Sequence, residues 1–143
     1  MNLGKILKAG IAVAIVLVIL DYLSMNYVMK SFLASQPFLR EAPVAGMVWN
    51  YIGDLVAALV FVWVFDRVQG SFAAGMSGGL AFGFYAGVLT NFPLWIFLHM
   101  FIKDFSYQSA WVFTAWGVIV SLIMGAVTGA VHGGSGGGAK AAA

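Results

Sequence analysis

Four long stretches of the chain carry almost no charge, and short polar runs separate them. They cover about 6–28, 44–65, 72–100 and 110–131. Each is long enough, as a helix, to cross a hydrocarbon core of about 30 Å, which takes roughly 20 apolar residues. The connections are 29–43, 66–71 and 102–109, and the last two are short. Neighbouring spans are therefore expected as side-by-side hairpins. An even number of spans leaves both ends on one side. The pattern predicts an all-α fold: an integral membrane four-transmembrane-helix bundle of antiparallel up-down topology, one domain over 1–132.

The first span is read as retained. Lys5 and Lys8 precede the apolar run 9–20 as they would in a signal peptide, but Asp21, Tyr22 and Leu23 follow it where small residues should mark a cleavage site. Cleavage stays as the alternative. The connection 29–43 sets Phe32, Leu33, Phe38 and Leu39 beside Lys30, Arg40 and Glu41, a mixture suited to lying along the interface. Trp49, Trp63, Trp95, Tyr107 and Trp111 fall towards span ends, as an aromatic belt does. The stretch 133–143 reads as a Gly/Ser linker with a short cloning remnant, or else a natural glycine-rich tail.

Glycine spacing refines the picture. Gly75, Gly79, Gly83 and Gly87 recur every fourth residue in the third span, and Gly117, Ser121, Gly125 and Gly129 do so in the fourth. Each set makes one small-residue stripe, which lets helix backbones approach in lipid where apolar burial no longer drives association. The two glycine-striped helices are expected to pack on each other, with a homo-oligomer contact as the other use of a stripe. The third span is also too long: 72–102 would make about 46 Å of helix. Pro93 is expected to kink it, with Thr90 and Asn91 satisfying the loosened backbone.

Composition agrees with the pattern. Of 143 residues 62% are hydrophobic and 8% charged, and mean hydropathy is +0.97. Soluble domains are roughly 25% charged, so this chain cannot cover a water-soluble surface. A net charge of +2 points to no nucleic-acid partner. With no cysteine and two histidines, neither disulfides nor a zinc site are expected. Lys5, Lys8 and Arg67 on the terminal side tie with Lys30, Arg40 and Lys103 on the other. The lysines leading the first span favour cytoplasmic termini, and the expected location is a bacterial inner membrane.

Polar groups inside spans carry the functional expectation, because lipid makes them expensive. Asp54 falls at the midpoint of the second span, with Asn50 one helical turn before it. Asp21 lies two-thirds along the first. Alternating span directions place Asp21, Asn50, Asn91 and Thr114 in the half nearer the connections 29–43 and 102–109, with Asp54 just beneath and His99 at the rim. This predicts a one-sided polar cavity walled by all four helices, a candidate ion or ligand site, or else a buried hydrogen-bonded network that specifies packing.

Chemistry beyond that is thin. His99 and His132 end consecutive spans and so lie at opposite faces, roughly 30 Å apart, which excludes a haem between them in one copy. No Walker loop, HExxH or GxSxG is present. No catalytic residue, metal or cofactor is assigned. The Asp late in the first span, Gly79 through Asn91 in the third, and Trp116-Gly117 leading to Gly125 and Gly129 resemble small bacterial four-helix membrane proteins of unassigned activity. That resemblance implies a fold and no function. The expected role is a non-enzymatic assembly or accessory subunit, partnered by the bilayer and by further copies or a larger membrane complex. The alternatives are a proton- or small-cation-linked transporter or channel using Asp54 and Asp21, and a cofactor- or lipid-binding membrane protein.

Overall fold

The computed structural model describes residues 3–39 and 44–132; Arg40, Glu41 and the 133–143 tail lie outside it. Helix α1 (Leu3–Leu23) runs into a π-helical turn, Ser24–Val28. A short α2 (Lys30–Ala34) follows, then α3 (Val44–Val68), a 3-10 turn at Gln69–Ser71, α4 (Met76–Phe101) and α5 (Tyr107–His132). The described residues are otherwise turns and bends. Four segments, Leu3–Val28, Gly46–Ser71, Met76–Phe101 and Tyr107–His132, are long and apolar enough to cross a membrane, each 26 residues, or about 39 Å. The chain is a multi-pass membrane protein.

Boundaries differ from the expected ones for local reasons. Helix α3 continues past Phe65 through Asp66 and Arg67, since charged groups at a span end reach the interface without breaking the helix. Asp54 consequently lies two residues before the midpoint of its helix, Val56, rather than at it. Helix α4 starts only at Met76: Gly75 stands before it with φ 72°, a left-handed conformation that favours glycine. One expected stripe member is therefore outside the helix. Pro93 sits within an unbroken α4. Thr90 Oγ1 donates to Ala86 O at 2.8 Å and Asn91 Nδ2 to Gly87 O at 3.0 Å. Both bond one turn back, and neither reaches the Leu89 carbonyl that the proline frees. Helix α5 begins three residues early because Ser106 caps it, its Oγ accepting the Ser109 N–H at 3.0 Å.

Packing orders the helices as α4 on α5, α5 on α1, and α1 on α3. The core lies towards the termini, where Ile6, Ala9, Val13 and Leu17 of α1 meet Ala58 and Val62 of α3 and Met124 of α5. Phe82 of α4 joins through Phe61 and Phe65, at ring separations of 4.9 and 5.3 Å. At the opposite end Phe32 and Phe38, from α2 and the turn after it, pack on Phe105 and Phe113. Trp95 stacks on Phe113 at 4.6 Å.

Helices α4 and α5 touch backbone to backbone. A Cβ added to Gly79 would strike the Gly125 carbonyl oxygen and lie 2.8 Å from Gly129 Cα. One on Gly83 would strike the Ser121 carbonyl, and one on Gly87 would lie 2.8 Å from the Ser121 side chain. Gly125 and Gly129 are closed in turn by the carbonyls of Gly79 and Gly75. Overpacking such a contact costs about 1–3 kcal/mol or more. Gly125→Ala is expected to lower the detergent melting temperature, whereas Gly53→Ala, where an added Cβ meets nothing within 4 Å, is expected to hold or raise it, since alanine is the better helix former. Differential scanning fluorimetry of the two variants checks this; equal melting curves would contradict the contact.

Candidate functional site

Asn50 joins the two membrane aspartates. Its Nδ2 donates to Asp21 Oδ2 at 2.9 Å and to Asp54 Oδ2 at 3.4 Å. The spacing of Asn50 and Asp54 puts them on one face of α3, and the α1–α3 contact brings Asp21 to the same place. One amide thus serves two carboxyl groups from two helices. No Lys or Arg falls between residues 9 and 29 or between 44 and 66. The cluster's balancing charge therefore comes from protons or from a cation that another molecule or ion supplies.

The cluster is not inside the bundle. Ala58, Val62 and Phe65 form the buried stripe of α3, at 0%, 0% and 2% exposure, and Asp54 and Asn50 continue that stripe beyond the point where the core ends. From Met47 to Ala57 every residue is exposed except Asp54, which is half-buried. Here α3 has α1 on one side and little else, because Phe32 and Phe38 occupy the end of the α4–α5 pair.

The remaining residues of the expected cavity go elsewhere. Asn91 lies over Gly117, where an added Cβ would strike its amide oxygen. Thr114 is buried and donates to Ala110 O at 2.8 Å. Both belong to the α4–α5 pair, whose close approach turns their faces away from α3. His99 Nδ1 lies 2.7 Å from Phe105 O and its ring packs on Tyr107, so it holds the α4–α5 turn together. The convergence therefore covers Asp21, Asn50 and Asp54, and does not extend to Asn91, Thr114 or His99.

A cavity of about 390 Å³ does open at the loop end, but different residues line it: Phe32, Ser35, Gln36, Pro37, Asp104, Ser106, Gln108 and Ser109. Ser109 Oγ donates to Gln36 Oε1 at 2.7 Å, pinning the segment after α2 to the start of α5. Asp104 adopts φ 65° in the tight turn, which its short polar side chain tolerates. No three His, Cys, Asp or Glu among the described residues form a metal-binding group.

At the other end the structure holds a pair that the sequence reading missed. His132 Nε2 lies 2.8 Å from Asp66 Oδ1, with the side chain of His132 2% exposed and packed on Phe65. Gln69 Nε2 also donates to Asp66, at 3.3 Å. The pattern held a signal, because Asp66 and His132 close the second and fourth spans, which the expected alternation of directions would end on one side. Arg67 lies over the Trp63 ring at 5.4 Å, a cation–π contact at the interface.

Two outcomes follow from these bonds. Asn50→Ala removes the shared donor and is expected to cost about 1–3 kcal/mol. The loss should shrink in an Asp21→Asn background, where the introduced amide can donate to Asp54; a double-mutant cycle in detergent reads this, and strict additivity would contradict the shared bond. Asp66→Ala removes the carboxylate facing His132 and is expected to cost a similar amount, about 1–3 kcal/mol. Its signature is faster amide exchange in the last turns of α5, read by hydrogen–deuterium exchange. Unchanged exchange there would mean the pair does not hold the helix end.

Searches of protein-family models, curated proteins and solved structures find nothing that matches this chain.

Proposed function

We propose that the chain is a small membrane assembly or accessory subunit, performing no covalent chemistry, that takes its place in a larger complex through the α1–α3 flank. One observation carries this reading: Asn50 gathers Asp21 and Asp54 at membrane depth on a flank that the described residues leave uncovered. Lipid tails satisfy neither a carboxyl group nor an amide, at several kcal/mol for each unsatisfied group. In the 18-residue apolar stretch of each span only 17–28% is buried within the described residues, so much of the surface is left for lipid and partners.

The proposed frame is an up-and-down antiparallel bundle whose glycine-striped α4–α5 seam is its most rigid part. Gly79, Gly83, Gly87, Gly125 and Gly129 with Ser121 form that seam. Gly117 seats Asn91, and Gly75 closes the end. The close approaches at these positions support it. Lys5 and Lys8 at the start of the first span favour termini in the cytoplasm, and the proposed location is a bacterial inner membrane.

A transporter is the second reading, favoured by two carboxyl groups sharing one amide, an arrangement able to pass a proton or hold a small cation. Proteoliposomes separate the two. The assembly reading expects no proton or sodium flux that Asp54→Asn abolishes. It also expects an assembly larger than one copy when the chain is extracted from its native membrane directly into polymer nanodiscs. Asp54-dependent flux from single copies would overturn it.

A further inference from the structure

Two features of α3 meet at the uncovered flank. The first is charge: Asp21 and Asp54 lie at membrane depth, and the basic residues of their spans, Lys5, Lys8 and Arg67, sit near the far ends, with no Lys or Arg between residues 9 and 29 or between 44 and 66 to face them. Asp54 lies eight residues into Gly46–Ser71, about 12 Å along the helix. The second is shape. Gly46, Asn50, Gly53 and Ala57 recur at intervals of four, three and four, so they share one face of α3. Gly10, Gly79, Gly83, Gly87, Gly125 and Gly129 are each closed by another helix, whereas a Cβ on Gly53 would meet nothing within 4 Å. Trp49, 73% exposed, stands beside this track. A shallow groove of small residues is what a second transmembrane helix needs for close approach, and here it runs past two acids.

We infer that this flank docks a transmembrane helix of another protein, one carrying a lysine or arginine at the depth of Asp54. The inference rests on the assembly reading and adds the partner's chemistry. A second copy fits less well, because it brings two more carboxyl groups to the same depth and no cation. A basic side chain instead pairs with the acids while its helix seats on Gly53. Asn50 then positions both carboxyl groups for that one cation.

Host–guest peptides provide the test. A leucine–alanine helix of about 24 residues carries a single lysine about 12 Å from one end; companion peptides carry leucine or glutamate there. Each is labelled and titrated by FRET against the full chain in bilayer nanodiscs. The lysine peptide is expected to bind at least about tenfold more tightly than the leucine peptide, as a close charge pair requires. Gly53→Leu should weaken the lysine peptide by filling its seat. Asp21→Asn with Asp54→Asn should bring lysine and leucine peptides within about twofold of each other. If that double variant does not fold, Gly53→Leu and the peptide series still decide the matter. Equal binding of the three peptides to the native chain overturns the inference, as does self-association through this flank that no peptide displaces. A native complex larger than one copy without lysine preference would overturn the partner's charge and leave the assembly reading standing. Single copies with Asp54-dependent flux would remove both.

Discussion

The backbone contact between α4 and α5 governs the rest of the molecule. In hydrocarbon, burying apolar side chains against one another gains little over leaving them in lipid, so helices associate where backbones can come close. Gly79, Gly83 and Gly125 allow that approach in one place only, along a single face of each helix. Once α4 and α5 are joined there, α1 meets the pair through α5, and α3 is left to pair with α1. The bundle is therefore uneven, with one tight pair and one looser pair.

That unevenness decides where the polar groups go. Asn91 and Thr114 fall on the tight pair and are satisfied locally, by a carbonyl one turn back in each case. Asp21, Asn50 and Asp54 fall on the loose pair and must satisfy one another across two helices. The local bonds cost the fold nothing to keep. The cross-helix cluster has lone pairs to spare and looks outward, which is why the functional reading rests on it.

The sequence made the four spans plain, because runs of uncharged residues of that length have few other uses. It also made the Asp21–Asn50–Asp54 grouping legible, since depth alone constrains three residues on two consecutive spans. It could not give azimuth. Depth arguments set Asn91 and Thr114 in the same half as Asp21 and His99 at its rim, but which way each points depends on the α4–α5 contact and on the order of helices around the bundle. The π-helical turn at Ser24–Val28 was equally invisible: its wide Met29 N–H to Ser24 carbonyl bond lets Ser24 and Met29, five residues apart, both face inward. Regular helical spacing would turn one of them out. Asp66 and His132 were passed over because they sit one step outside the uncharged runs.

Helix α5 is the last described span, yet it separates α4 from α1 and carries Met124 into the shared core. A chain threading into the bilayer from its amino end places α1, α3 and α4 first, with no interior for them to enclose. During that interval the three helices form a half-built wall, its acid-bearing pair already joined and its glycine face bare. Arrival of α5 fills the gap, and its final residue reaches Asp66. Completion of this bundle is thus a late event in biogenesis, and the order of synthesis leaves the glycine face of α4 open to other membrane helices until then.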